Sequence, residues 1–402
     1  MKTGSIKVFF FVIAAMAMTG LTNWVWAVEA VSEEGAEPAA DGVEQLEARM
    51  AALEANRWRD RIAIHGVLAG AYQYEDADGP QDAESFGRGA VAFQPEIFIT
   101  LTDQDEIVFE FAFPTGEGVN GSTQMLIPPW SANLEGDVKN INGRDRDYLL
   151  TAWYKHTFKL GEAHSVGITG GIIDATAYLD QNAYANDEYT QFMNPALVNG
   201  PNGFAPSYDI GGAVQWDIGP FYANGVVMNI GENDDGINYN FYGVEVGYLL
   251  NTTLGEGTYR IIYEGGQDAF LDLTGTTLED RNLVFLSFDQ QFGEHFAGWI
   301  RFGWGDDDAS VDASNLYSGG INISGGFWGR GEDNIGIGYA MFDGGNTGVE
   351  RAQVAEVYYR LAMNDWFALT GDVQYQDNKY EDAEAGTDID AWTWGIRAVV
   401  EF

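Results

Sequence analysis

From Ile62 to the end of the chain, apolar side chains alternate with small or polar ones over stretches of about ten residues, and each stretch closes in a Gly-, Asp- or Asn-rich break. A period of two is that of a β-strand, whose successive side chains point to opposite faces. Ile107, Phe109, Phe111 and Phe113 share one face, with Glu110 and Ala112 on the other. Tyr242, Val244, Val246, Tyr248 and Leu250 lie opposite Glu245, and Phe296, Gly298, Ile300 and Phe302 lie opposite Trp299 and Arg301. Ile335, Ile337, Tyr339 and Met341 lie opposite three small residues. Strands are predicted at 62–74, 88–101, 106–113, 147–158, 164–173, 209–218, 221–230 and 239–250, then at 257–264, 282–291, 295–304, 315–328, 334–342, 351–361, 366–376 and 391–402, sixteen in all.

Upstream the pattern changes. Val43, Leu46, Met50 and Leu53 recur at three- and four-residue spacing among Ala, Glu and Arg, which predicts a short helix over 43–58. Barely two heptads long, it is either a coiled coil joining protomers or an amphipathic helix that packs on the barrel or frays, since isolated helices of this length are marginal. Residues 28–42 are acidic, contain Ala, Pro and Gly, and form a linker too poor in large apolar groups to order itself. Before them, Lys2 and Lys7, the apolar run Val8 to Met18 and the site Val25-Trp26-Ala27 read as a secretory signal occupying 1–27.

No other stretch has the roughly 20 apolar residues of a spanning helix, so membrane residence would require a closed barrel of strands. One strand alone does not separate such a barrel from a soluble sandwich with the opposite polarity. The last strand does: Trp392, Trp394, Ile396, Ala398, Val400 and Phe402 alternate to a terminal aromatic residue, with Arg397 and Glu401 opposite. This resembles the assembly signal of bacterial outer-membrane barrels. The expected fold is therefore all-β, a transmembrane antiparallel barrel of about sixteen strands over 59–402 in contact with outer-membrane lipid, with a lumen wide enough for an aqueous channel.

Composition narrows the function. With 61 acidic residues against 20 basic the net charge is −41, which excludes nucleic acid as a natural partner. Cysteine is absent, and with it disulfides, thiolate metal sites and thiol nucleophiles. The 51 glycines, 14% aromatic content and only 10 prolines suit a sheet with many turns and aromatic girdles.

Charges placed mid-strand on the polar face are costly toward lipid and natural toward water, so Glu110, Glu245, Arg260, Glu264, Arg301, Glu356, Arg360 and Arg397 are expected to face the pore. There they either meet solutes or pair with one another to hold the wall. Trp299 on the same face is a candidate platform for a sugar ring. The runs Gly231 to Gly236 and Asp306 to Asp308 offer oxygen ligands for a loop-bound calcium ion, although as acidic solvated loops they need none, and no other cofactor is implied. The histidines are His65, His156, His164 and His295; His164 and Ser165 are neighbours on a strand and point to opposite faces, and no triad or metal cluster is evident, so the chain is not read as an enzyme.

Between the fifth and sixth strands a long break, 174–208, is rich in specific polar residues. Gly171 and Asp174, then Asn182, Asn186-Asp187-Glu188 and Gln191-Phe192-Met193-Asn194, resemble the OprB-type carbohydrate-selective porins. So do Asn334-Ile335-Gly336-Ile337-Gly338-Tyr339, Glu356-Val357-Tyr358-Tyr359-Arg360 and Gly371-Asp372-Val373-Gln374-Tyr375, although the family usually has proline where Gly371 stands. The resemblance implies a sixteen-stranded barrel, inward-folded loops that narrow the pore, passive uptake of small sugars, and a monomer, whereas the heptads would favour a homotrimer. Sugar-carrying members line the constriction with arginines, and arginine is scarce here. That departure keeps a cation-preferring general porin as the alternative, beside a plugged structural barrel that tethers a periplasmic partner.

Overall fold

The computed structural model describes residues 49–50, 60–80, 83–200, 202–382 and 386–402. The expected signal, the linker and most of the 43–58 helix lie outside the described residues; Arg49 and Met50 are helical. From Ile62 onward sixteen strands follow one another: β1 (Ile62–Asp78), β2 (Phe86–Thr100), β3 (Asp105–Phe111), β4 (Leu149–Lys159), β5 (His164–Ile173), β6 (Asp209–Ile218), β7 (Phe221–Ile230) and β8 (Tyr239–Thr252). Then come β9 (Gly255–Leu271), β10 (Leu278–Phe292), β11 (Phe296–Gly305), β12 (Ala313–Ser324), β13 (Asn334–Gly344), β14 (Val349–Asn364), β15 (Phe367–Tyr380) and β16 (Ile389–Glu401).

Every strand pairs antiparallel with its sequence neighbours, and β1 closes on β16 from Val67↔Glu401 to Asp78↔Asp390. Closure leaves no sheet edge to seek a partner. The connections alternate between the two ends of the cylinder. At one end most are tight, such as 219–220, 253–254 and 365–366; at the other lie the two longest, 112–148 and 174–208.

The polarity is the inverse of a soluble protein's. Trp216, Val227, Val244, Ile261, Ile300, Val357 and Ile396 are exposed on the outer face, while Glu245, Arg260, Glu264, Arg301, Glu356 and Arg397 are buried on the inner one. An apolar surface of that extent belongs against lipid. Trp392, Trp394 and Tyr74 cluster on the outer face, ring against ring.

Two predicted boundaries shift for local reasons. The expected strand 315–328 stops at Ser324, whose hydroxyl caps a 3₁₀ turn over Gly325–Trp328 that Gly329 closes at φ 81°. The expected strand 257–264 runs on to Leu271, because Gly265 is not a turn: on the outer face the ring of Tyr242 lies where its Cβ would be. A glycine there marks a close approach inside a strand rather than its end.

Candidate functional site: the lumen and its two inward segments

The segment 174–208 folds into the barrel, and its own side chains shape it. Asp174 accepts from Thr176 N at 2.9 Å and starts a 3₁₀ turn over Ala175–Ala177; Asn194 accepts from Ala196 N at 2.9 Å and starts another over Pro195–Leu197. Gln191 accepts from Asn186 N at 2.8 Å and donates to the Ala183 carbonyl at 3.0 Å, which ties the intervening turn together.

Six of the eight predicted lumen charges converge on this segment. Glu245 accepts from Asp180 N at 2.6 Å and from the Tyr222 hydroxyl at 2.6 Å. Arg260 pairs with Asp289 at 2.6 Å and donates to the Gln181 carbonyl. Arg301 pairs with Asp180 at 2.7 Å and donates to the carbonyls of Ala185 and Leu197. Glu264 accepts from Phe204 N at 3.1 Å. Glu356 accepts from Met193 N at 2.6 Å and Asn194 N at 2.9 Å, and Arg397 donates to the Glu188 and Gln191 carbonyls at 2.7 and 2.9 Å. Asn182 reaches Ser287 on β10 at 3.3 Å. Buried charge is costly unless paired, and here backbone groups of the segment and opposed side chains supply the partners.

Apolar contacts complete the seat. Phe192 stands edge-on to Trp299 and Tyr358, with centroids 5.7 and 5.1 Å away. The small inner face of β13 admits it: a Cβ on Gly338 would lie 2.9 Å from both Phe192 and Leu197. Trp299 is only 2% exposed, with the Arg301 guanidinium 5.2 Å from its ring. Arg360 stands apart near the tight-turn end, 3.1 Å from Glu401.

A second inward segment, 112–148, went unread in the sequence. The Pro129 carbonyl accepts from Gln73 at 3.2 Å and from Gln374 at 2.9 Å, and Thr123 donates to Glu75 at 2.9 Å. It also joins the first segment, through Trp130 Nε1 to the Glu188 carbonyl at 3.1 Å and Ser131 N to the Met193 carbonyl at 2.8 Å. The one available signal is negative: residues 114–146 lack strand alternation and include Pro128-Pro129-Trp130.

Between the two segments and the wall of β2–β6 lies an open cavity of about 730 Å³. Its wall side carries Gln94, Glu96, Glu110, Thr151, Trp153 and Lys155; its segment side carries Asn133, Asp174, Asn186, Asp187, Glu188, Tyr189, Asn199 and Tyr208. Gln94 is central: it accepts from Tyr189 OH at 2.8 Å and Asn133 at 3.2 Å, and donates to Glu110. Asn133 reaches on to Tyr208 OH at 2.8 Å. A further cavity of about 570 Å³ shares Gln94, Glu96, Asp187 and Tyr189 with the first and reaches His65, Glu401 and Phe402 near the tight-turn end.

Of the predicted residues, Glu110, Asp174, Asn186 and Glu188 border the open cavity. Glu245, Arg260, Glu264, Trp299, Arg301, Glu356 and Arg397 lie buried beneath the segment, Asn182 and Phe192 are the segment's own buried contacts with the wall, and Gln191 works as the internal tie. Gln94, Glu96, Asn133, Trp153, Lys155, Tyr189 and Tyr208 were missed. The acidic runs are turn formers: Asn233 and Asp235 bond within and between loops, and Asp306 accepts from Asn282 at 2.8 Å. Among the described residues no three metal-binding side chains converge. His156 bonds Asp105 at 2.6 Å, whereas His65 and His295 stand edge-on to phenylalanines.

A family profile described as carbohydrate-selective porin, OprB family, matches residues 131–385. An uncharacterized protein of Aquifex aeolicus (strain VF5) is 28% identical over 296 residues, which are 72% of this chain and 84% of that one. Among solved structures, the high-pH form of Pseudomonas putida OprB superimposes with a TM-score of 0.67 at 16% identity, over 93% of this chain and 100% of that one. The outer-membrane channel DcaP of Acinetobacter baumannii gives a TM-score of 0.53 at 10% identity, over 85% of this chain and 97% of that one.

Proposed function

Because the chain belongs to the OprB family of carbohydrate-selective porins, we propose that it is an outer-membrane pore through which small hydrophilic solutes, carbohydrates foremost, diffuse passively along the β2–β6 side of the lumen. The observation that carries this reading is the open cavity left beside the pinned 174–208 segment, in the size range of about 300–1,000 Å³ that holds small ligands. Its lining is chemically mixed. Gln94, Asn133, Thr151 and Asn199 offer donors and acceptors to hydroxyl groups, and half-buried Trp153 offers an apolar ring to the face of a sugar. Passage needs contacts strong enough to replace water and weak enough to release the solute. Open volume of this size beside the segment also weighs against a plugged barrel.

A specific observation favours a second reading, a cation-preferring pore. Glu96, Glu110, Asp174, Asp187 and Glu188 border the cavity, against the single ammonium of Lys155, itself 3.6 Å from Glu106. The arginines that would balance them, Arg260, Arg301 and Arg397, are engaged by main-chain carbonyls of the 174–208 segment and do not line the cavity. Such a lining raises local cation concentration and repels anions.

Planar-bilayer recording separates the two. A sugar pathway gives potassium chloride currents that fall as a neutral monosaccharide is added, with weaker block in Trp153→Ala. Currents untouched by sugar, with a reversal potential near the cation limit, would leave only the second reading.

A further inference from the structure

Both inward segments approach β15 at one side chain. Gln374 is fully buried there, and its carboxamide accepts from Asn194 Nδ2 at 3.0 Å while its amide donates to the Pro129 carbonyl at 2.9 Å and to Asp372 at 2.9 Å. Few side chains both accept and donate in one plane, as this junction requires. We propose that Gln374 is the positioning residue of the pore, the wall side chain that sets the distance between the two inward segments and so the width of the opening. This rests on the pore reading above and goes beyond it, since Gln374 touches no solute.

The path from Gln374 to the opening is short on both sides. Asn194 is held by its main chain to Glu356 on β14 and by its side chain to Gln374, and the Met193 carbonyl beside it accepts from Ser131 N. Pro129 is next to Trp130, whose indole holds the Glu188 carbonyl. Ser131 and Asn133 on one segment, and Asp187, Glu188 and Tyr189 on the other, border the open cavity. Loss of the Gln374 bridge lets residues two to seven positions away shift together. Gln94 on β2 also holds both segments, through Asn133 and Tyr189, but it does so at the opening itself. Gln374 acts from beneath.

The experiment is single-channel recording of the full-length protein in potassium chloride, paired with its heat-induced unfolding in detergent. In Q374L the carboxamide is replaced by an apolar group of similar size. We expect a barrel that still assembles, a conductance raised about twofold with a broader spread of levels, and passage of oligosaccharides that the parent excludes. A purely structural role would lower the unfolding temperature and leave conductance and size limit alone, and that result overturns the proposal. Where Q374L does not assemble, Q374M decides in the same way, because it keeps the unbranched length of the side chain and removes both the acceptor for Asn194 and the donor to Pro129. Rescue gives a further check. The chain has no cysteine, so S131C/M193C in the Q374L background, once oxidised, fixes the two segments directly and returns conductance to the parental level. A formed cross-link without that return contradicts the mechanism. Absence of conductance in the parent protein would instead remove the pore reading itself.

Discussion

At Arg301 a guanidinium sits fully buried, facing Asp180 and the carbonyls of Ala185 and Leu197. Arg301→Met leaves the Asp180 carboxylate buried without its partner, a change that costs about 3–5 kcal/mol. Thermal unfolding in detergent should register that loss, and the freed segment should make single-channel currents noisier. A second residue reports on pH. Asp333, in the β12–β13 connection, is held down to about 2 by the Arg330 guanidinium, helped by Tyr359 OH and Ala362 N. A depressed carboxylate pKa contributes stability above its unfolded value of roughly 3.9, and that contribution is lost as pH falls through the folded value. Asp333→Asn should therefore lower the unfolding temperature at pH 7, with the difference closing toward pH 2. At this scale strand parity assigns Glu245, Arg260 and Arg397 to the inner face from sequence alone. Parity is blind to what lies against that face, so it leaves open whether these residues meet solutes or hold the wall; in the structure they bond the backbone of 174–208.

Among the elements, the strands were legible and the inward segments only half so. Alternation locates all sixteen strands because each must present one apolar and one polar face. The small residues opposite Ile335, Ile337 and Tyr339 each make room for a ring or a branched side chain: Gly338 seats Phe192 and Leu197, and Gly336 lies under the ring of Tyr358. Gly338→Val should push that turn toward the opening, lowering conductance while leaving β-sheet content, read by circular dichroism, unchanged. The segment 112–148 escaped notice because irregular backbone has no period to detect. The resemblance blocks acquire a physical meaning here: Met193 and Asn194 of the segment bond Glu356 on β14, and Asn194 bonds Gln374 on β15, as latch and seat.

For the whole molecule, the decisive property is the inverted polarity that no single strand reveals. An outer face of Ile, Val and Trp with a charged interior is stable in lipid and insoluble in water. Charge is also divided within the lumen: arginine–carboxylate pairs sit beneath the segment and carboxylates dominate the open side. Deleting residues 28–58 should leave the conductance of each pore unchanged, with steps that lose a threefold grouping only if the heptads of 43–53 gather three barrels. Most direct is the swelling rate of liposomes carrying the purified protein, in neutral sugars, neutral non-sugars of the same size, and organic cations and anions. Faster uptake of sugars than of matched non-sugars is the predicted result. Rates ranked by positive charge alone, with no advantage for sugars, would contradict it.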